Sequence, residues 1–497
     1  MVKLLATEQI KAWDAFTIRH EPVASIDLME RACHAFVLWF TGQFDGTMKT
    51  GVVCGTGNNG GDGLGIARIL KEWGYPVKVW VVRGGKDASG DFTVNLEKWV
   101  SMGEVVEITS PEEHLDFDNC DVLIDGIFGS GLSRPVRGVY EQVIKRLNKA
   151  DAIRVAIDVP SGLMADVHSR GAVVKADYTA TFQVPKLAFY LPENHPFVGE
   201  WTVLDIGLSK EFIGDIRTSF YQLQRRDIRR IRKTRSRFGH KGNYGRAVLV
   251  SGSYGKMGAA VLAARAALRS GLGLLTVHIP ACGYDILQTA VPEAMVSIDE
   301  GVHAIAGVPD ASTADVVGIG PGLGTSPETI RSVRLLLESH KRPMVLDADA
   351  LNIISAGSGL LQLIPPLSIL TPHPKEFERL AGPWSNDFEK LDLLRSFARD
   401  LNVIVVLKGA FSAIASPDGS IYFNPTGNPG MATGGSGDVL TGIVTGLLAQ
   451  GYSALESAML GVYLHGASGD VALADKGMEG LIASDLIDYL PRAFKRI

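Results

Sequence analysis

The chain has 497 residues, 46% of them hydrophobic and 21% charged, with a formal net charge of -5. That length exceeds a single ordinary core, so two globular domains are expected, and the acidic balance offers no whole-protein attraction to nucleic acid or to an anionic membrane surface. Cys33, Cys54, Cys120 and Cys282 are scattered without a C-x-x-C pair, which argues against a disulfide framework or a cysteine metal site and favours a reducing compartment.

The opening MVKLLATEQIKAWD reaches charged residues too soon for a secretory signal; no export is expected, and a cytoplasmic location follows. β-branched runs then alternate with helical patterns, the signature of βα units building parallel sheets covered on both faces. In the first half the predicted strands are 50–54, 77–82, 121–125, 154–158, 178–182 and 201–204. After the first of them, Gly55-Thr-Gly-Asn-Asn-Gly60 formally matches G-x-G-x-x-G. The match is weak, because Arg83 and Lys86 stand where an NAD site wants an acid for the ribose. Asn58, Asn59 and Asp62 instead put polar groups suited to a ligand or cation at the strand's carboxyl edge. Asp125 and Asp158 end two further strands. Parallel strands point their carboxyl ends to one edge, so Asn59, Asp125, Asp158 and Ser161 are expected to share a cleft. For each residue alone, a turn or capping role is the competing reading.

Residues 225–246 hold ten Lys or Arg against the single acid Asp227. The segment reads as an interdomain linker, since a nucleic-acid site wants aromatic interleaving and only Phe238 and Tyr244 are near. The expected division is 1–215, a basic linker at 216–235, and 236–497. In the second half, strands are predicted at 246–251, 274–279, 316–319, 344–346, 368–370 and 403–407, followed by a hairpin of 411–415 and 421–424 through Pro417-Asp418-Gly419. The apolar run 439–455 is broken by glycines and reads as a buried helix rather than a membrane span.

The strongest chemical signal is Asn424-Pro-Thr-Gly-Asn-Pro-Gly-Met-Ala-Thr-Gly-Gly-Ser-Gly-Asp438, leading into a helix. Glycines let backbone approach a ligand, and a helix start offers unpaired N–H groups with partial positive charge. Such a turn steadies phosphate, and Asp438 is placed to take a hydroxyl proton. Gly318-Ile-Gly-Pro-Gly-Leu-Gly324, Leu370-Thr-Pro-His373-Pro-Lys-Glu376 and Lys408-Gly-Ala-Phe-Ser412 also close strands. Asp347-Ala-Asp349 suits Mg2+ held through water or a ligand hydroxyl, with a capping role for Asp349 equally open.

These segments, together with His240-Lys-Gly-Asn-Tyr-Gly245 and Ser251-Gly-Ser-Tyr-Gly-Lys-Met-Gly-Ala-Ala260, resemble the NAD(P)H-hydrate dehydratases of ribokinase-like fold across about residues 225 to 497. The resemblance implies ADP- or ATP-dependent dehydration of the S epimer of hydrated NADH or NADPH, with Mg2+. It places Ala259, Gly322, His373 and Asp438 near the hydrate. Lys408, Gly409, Ala410, Phe411 and Ser412 would face the nucleotide together with Thr433, Gly434, Gly435, Ser436 and Gly437 of the glycine turn. Across about residues 1 to 215, Asn58-Asn-Gly-Gly-Asp-Gly63, Asp125-Gly-Ile-Phe-Gly-Ser-Gly131 and Asp158-Val-Pro-Ser-Gly162 resemble the NAD(P)H-hydrate epimerases, of doubly wound Rossmann-like fold. There the resemblance puts the hydrate against Asn58, Asn59, Gly60, Gly61 and Asp62, against Gly129, Ser130, Gly131, Leu132, Ser133, Arg134 and Pro135, and against Asp158 as acid/base. K+ would be held through Asn59, Asp125 and Ser161. Ser25-Ile-Asp-Leu-Met-Glu-Arg-Ala-Cys33 is similar to that family's first helix, with Cys33 where a glycine is usual. Small-molecule substrates and a homo-oligomer are expected, without nucleic acid or membrane. The competing reading is a ribokinase-like small-molecule kinase with an N-terminal ligand-binding or scaffolding domain.

Overall fold

The computed structural model describes residues 1–85, 87–110 and 116–497, so Lys86 lies outside the described residues. Two compact units form: one of Lys3–Thr218 with Asn386–Phe388, the other of Met1–Val2, Ser219–Ser385 and Glu389–Ile497.

The first unit is built on a seven-stranded parallel sheet in the order Val105–Ile108, Val77–Val82, Thr50–Cys54, Val122–Gly126, Ile153–Ile157, Tyr178–Phe182 and Glu200–Leu204. Its alternating residues feed two cores. Val52, Val79, Ile124 and Val155 pack with Phe36, Phe40 and Ile66 on one face, while Val53, Trp80 and Leu123 pack with Val143, Ile144 and Leu147 on the other. The strand order reverses between Thr50–Cys54 and Val122–Gly126. At such a switch point the two following loops diverge and leave a crevice. Backbone crosses closely there: a Cβ on Gly60 would lie 1.8 Å from Gly55 O, and one on Gly55 would lie 2.2 Å from Ile127 O.

The second unit carries an eleven-stranded sheet ordered Val2–Lys3, Phe220–Gln222, Ile421–Phe423, Ala413–Ala415, Ile404–Leu407, Ile369–Leu370, Met344–Leu346, Val316–Ile319, Arg246–Val250, Leu274–Ile279 and Met295–Ile298. From Ile404–Leu407 onward the neighbours run parallel. The hairpin expected around Pro417-Asp418-Gly419 pairs Ala413 with Phe423 and Ala415 with Ile421, antiparallel. The sheet reverses order between Arg246–Val250 and Val316–Ile319, which sets Ser251–Met257 beside Gly320–Gly324 at the carboxyl edge. Beneath that edge the helices Met257–Arg269 and Ser436–Ala449 pack through small residues, and Val439 to Ala449 are all buried. Among the described residues, no helix is long and apolar enough to cross a membrane.

Several short edge strands were not anticipated. Val105–Ile108 is half exposed, as is Met295–Ile298, and neither shows the continuous apolar run that marks an interior strand. The segment expected as a basic linker contains strand Phe220–Gln222 and helix Arg225–Ile231. That helix buries Ile228 among core side chains, and its Asp227 accepts the amino group of Met1 at 2.7 Å. Its arginines therefore decorate an ordered helix. All four cysteines are free thiols, with Cys33, Cys54 and Cys120 buried; burial pushes the Cys33 and Cys54 thiols far above the ordinary range and Cys120 up to about 11.

Gly442 measures how tight the helix pair is, since a Cβ there would sit 2.1 Å from Ala263 O, a backbone atom that cannot step aside. Gly442→Ala is expected to destabilise the second unit by roughly 1–3 kcal/mol through overpacking. Thermal unfolding followed calorimetrically checks this, and an unchanged melting transition would contradict the packing described.

Candidate active sites

The first unit's switch-point crevice opens into a cavity of about 590 Å³ lined by Asn58, Asn59, Asp62, Gly129 to Arg134 and Asp158. Asp158 has φ 64°, a left-handed conformation uncommon outside glycine. The kink turns its carboxylate back over the next strand: Oδ1 lies 2.7 Å from Lys186 Nζ and accepts hydrogen bonds from Thr181 Oγ1 at 3.1 Å and Phe182 N at 3.2 Å. Lys186 is only 1% exposed. Its ammonium also donates to Thr181 Oγ1 and to the carbonyls of Phe182 and Val184. Burial pushes the Asp158 carboxyl upward, but Lys186 and the hydrogen bonds outweigh it and hold the group below the ordinary carboxylate range. The opposite holds for Asp62 and Asp14 on the same cavity wall. Burial, reinforced by the charge of Asp158, drives Asp62 well up and Asp14 up to about 6. One cavity thus sets a lysine-held anion beside carboxyls that burial shifts toward the protonated form.

Behind the cavity, Asp125 and Ser161 meet although 36 positions separate them. Ser161 Oγ donates to Asp125 Oδ1 at 2.6 Å, Ser161 N donates to Oδ2 at 2.7 Å, and Phe128 N donates to Ser161 Oγ at 2.8 Å. Asn59 joins them at the Gly129 backbone, where a Cβ on the glycine would lie 3.0 Å from Asn59 Oδ1. The buried Asn59 Nδ2 has no hydrogen-bond partner among the described residues. Burial raises Asp125 to about 6 despite the bonds from Ser161 and Ile127 N. Gly60, Gly61 and Pro135 lie outside the cavity lining; the two glycines are buried under the turn they allow.

In the second unit, helix Ser436–Ala449 starts from Gly435 at φ 88°, with Asp438 in its first turn. Asp347, 1% exposed, receives Lys408 Nζ at 2.8 Å on Oδ1 and Thr441 Oγ1 at 2.5 Å on Oδ2. Ala348, directly after it, has φ 49°. A Cβ on Gly437 would lie 3.4 Å from Lys408 Nζ, so the lysine reaches the glycine turn itself. Burial disfavours the Lys408 charge, yet Asp347, Glu376 and Asp438 outweigh that and hold the ammonium above its ordinary pKa. Burial raises the Asp438 carboxyl to about 6, with Asp347 and Asp349 adding to the rise and Lys408 opposing it. His373 Nδ1 accepts from Lys375 N and Glu376 N, capping the helix Pro374–Ala381. Its Nε2 faces Glu376 Oε1 at 3.4 Å, and Glu376 Oε2 lies 3.9 Å from Lys408 Nζ. Ala259 and Gly322 meet as expected, since a Cβ on Gly322 would sit 3.0 Å from Ala259 Cβ. Asp349 bonds Gly324 N at 2.8 Å and Lys256 Nζ at 3.3 Å. It therefore ties the glycine loop to its own helix, and Asp347 is wholly engaged by Lys408 and Thr441.

Lys186, Asp14, Thr441, Glu376 and His465 were not singled out from the sequence. His465 Nε2 donates to Ser436 O at 3.0 Å, and burial lowers its pKa to about 4, so a neutral imidazole braces the glycine turn. Nothing in the residues around them marks their partners, and only the fold brings them to the site.

Two α/β units, each with clustered carboxylates and a lysine–aspartate pair at the carboxyl edge of its sheet, define an enzyme of the phosphoryl-transfer type joined to a second small-molecule enzyme. Comparison with known proteins names the class. Residues 247–492 match the NAD(P)H-hydrate dehydratase family and residues 25–188 match the YjeF-related protein N-terminus family. The bifunctional NAD(P)H-hydrate repair enzyme Nnr of Moorella thermoacetica is 38% identical, covering 96% of this chain and 93% of its own. The Coxiella burnetii enzyme of the same name is 34% identical, covering 99% of both chains. Among solved structures, the ADP/ATP-dependent NAD(P)H-hydrate dehydratase of Bacillus subtilis, co-crystallised with ATP/Mg2+, is 32% identical with a TM-score of 0.50, covering 56% of this chain and 98% of that one. A ribokinase-like superfamily protein of Enterococcus faecalis is 30% identical with a TM-score of 0.51, covering 56% and 98% respectively. The chain belongs to the bifunctional NAD(P)H-hydrate repair enzyme family. Similarity running through both units favours that family over a lone small-molecule kinase with a scaffolding domain.

Lys186→Met is expected to cost the first unit roughly 3–5 kcal/mol, because it leaves Asp158 as an uncompensated buried charge. The sign follows from the depressed native pKa: the pair stabilises the fold above the unfolded aspartate value of 3.8 and that contribution fades as pH falls through the lower folded value. Denaturant unfolding across pH 3 to 8 measures both; equal stability of the variant and the parent at pH 7 would contradict the pairing.

Proposed function

We propose that the second unit transfers phosphate from ADP or ATP to the ring hydroxyl of the S epimer of hydrated NADH or NADPH, and that the first unit interconverts the R and S epimers. The observation that carries the reading is Asp438, raised to about 6 at the start of a glycine-opened helix with Lys408 beside it.

A hydroxyl on a carbon bonded to nitrogen leaves poorly as hydroxide. Asp438 takes its proton as the phosphoryl group arrives, and the first-turn amides with Lys408 neutralise the moving charge. The ring nitrogen's lone pair then expels phosphate, and the neighbouring ring carbon sheds a proton to form the carbon–carbon double bond, giving NADH or NADPH. The backbone of Lys408 to Ser412 and Thr433 to Gly437 faces the nucleotide in this reading, while Ala259, Gly322 and His373 bound the hydrate. Both Asp347 oxygens are engaged by Lys408 and Thr441, so Mg2+ would be held mainly by the nucleotide's phosphates and would supply charge neutralisation there.

In the first unit Asp158 is the acid/base carboxylate facing the hydrate. The amide of Asn59, the carboxylate of Asp125 and the hydroxyl of Ser161 are hard oxygen donors that suit K+. A cation held there would offset the burial that raises Asp125. Epimerisation supplies the stereospecific dehydratase with the form it accepts, so one chain repairs both epimers. Cytoplasmic work as a homo-oligomer fits this role.

As a base, Asp438 must be ionised, so kcat/KM for dehydration is expected to rise with pH through about 6 and then level. Asp438→Asn should lower it by roughly 100- to 10,000-fold. Nicotinamide absorbance and free phosphate, followed with S hydrate and ADP or ATP, give the readout; wild-type turnover by the variant would remove the assignment, and a stable phosphorylated product would point to a kinase instead. Asp158→Ala should abolish interconversion of the epimers while dehydration of pure S hydrate persists.

A further inference from the structure

The wall of the first unit's cavity includes one face of the helix Thr7–His20: Ile10, Lys11, Asp14, Ala15 and Ile18. This helix precedes residues 25–188, the segment matched by the family of N-terminal domains. Asp14 is the carboxyl on that face. Among the described residues it has no side-chain hydrogen-bond or ion-pair partner, whereas Asp158 Oδ1 is held by Lys186, Thr181 and Phe182 N.

We propose that Asp14 is the proton donor to the departing hydroxyl in epimerisation, working across the cavity with Asp158, which takes the proton of the water that returns. The inference rests on reading the cavity as the epimerase site. The Asp14 carboxyl gives its proton to the ring hydroxyl oxygen, and the carbon–oxygen bond breaks with its electron pair leaving as water. The ring nitrogen's lone pair forms the carbon–nitrogen double bond, leaving a cation beside two carboxylates. A water molecule then adds to the other face of that carbon, and Asp158 accepts the proton it sheds. Solvent returns the proton from Asp158 to Asp14. No redox change occurs, and one water leaves for each that enters.

The environments suit these roles. Ile10 and Ile18 flank Asp14 on its own helix, and burial followed by the charge of Asp158 raises its carboxyl to about 6, with Lys186 opposing. The other charged groups on the cavity wall are Lys11, Asp62, Asp87, Asp91 and Arg134. Asp62 is raised well above the ordinary carboxylate range by burial and by Asp158, Asp14 and Asp91. Asp14, raised to about 6, cycles near neutral pH, where a general acid is most effective.

The test uses the full chain, the purified R epimer and chiral separation of products. Asp14→Asn is expected to cut kcat for epimerisation at least about 100-fold, with little change in KM and undiminished dehydration of S hydrate by the same protein. Wild-type epimerisation should fall as pH rises through about 6, a limb the variant lacks. Asp14→Glu keeps the acid and should recover at least about tenfold over Asp14→Asn. It also decides the matter should Asp14→Asn unfold the first unit: recovery supports the role and no recovery overturns it. Epimerisation by folded Asp14→Asn within about threefold of wild type, or an unmoved pH limb, would overturn the inference alone. A wild-type protein inert on R hydrate would instead remove the epimerase reading beneath it.

Discussion

Each unit depends on a lysine ammonium set against an aspartate at the carboxyl edge of its sheet, the fully buried Lys186 with Asp158 and the part-buried Lys408 with Asp347. Removing two opposite charges from water is costly, and the cost is offset only where geometry and further hydrogen bonds are good. Both pairs meet that condition. Lys186 has three additional acceptors and Asp347 has Thr441 on its second oxygen. The neighbouring carboxyls are raised first by their own burial and then by the charge of these aspartates. Asp62 and Asp14 rise beside Asp158, and Asp438 rises beside Asp347. Each site thus sets a lysine-paired aspartate beside carboxyls that burial and its charge raise together.

Backbone geometry makes this arrangement possible. Asp158 and Ala348 hold left-handed conformations at the ends of strands, where the chain must turn a carboxylate inward within one residue. Such conformations persist only where surrounding structure overdetermines them. The switch points provide this: backbone on either side is packed to within a missing Cβ, as at Gly55 and Gly60. A rigid edge keeps site groups in place without relying on long loops.

Much of this was legible in the sequence because glycines, prolines and strand-terminal acids punctuate the edges. The interior strands Thr50–Cys54, Val77–Val82 and Leu274–Ile279 stand where expected, since buried parallel strands read as continuous apolar runs. Strands at or next to a sheet edge, such as Val105–Ile108 and Phe220–Gln222, are short and partly exposed, so their pattern does not separate from loop. The basic segment misled for a related reason: charge density reads as solvated linker, while Ile228 and Asp227, which anchor its helix, are single residues. Asp125 and Ser161 were expected together and are hydrogen-bonded. Lys186 and His465 escaped because a lone ionisable residue in an ordinary segment shows its partner only after folding.

The buried thiols have a consequence for durability. Oxidants attack thiolate, and a thiol whose proton is held well above neutral pH presents almost none. Cys33 and Cys54 flank the helix that bears Asn59 and Asp62, packed against Gly65 and Gly63. Peroxide reaching this scaffold finds inert sulfur, so the catalyst's integrity is uncoupled from the redox state of the nicotinamide pool it serves.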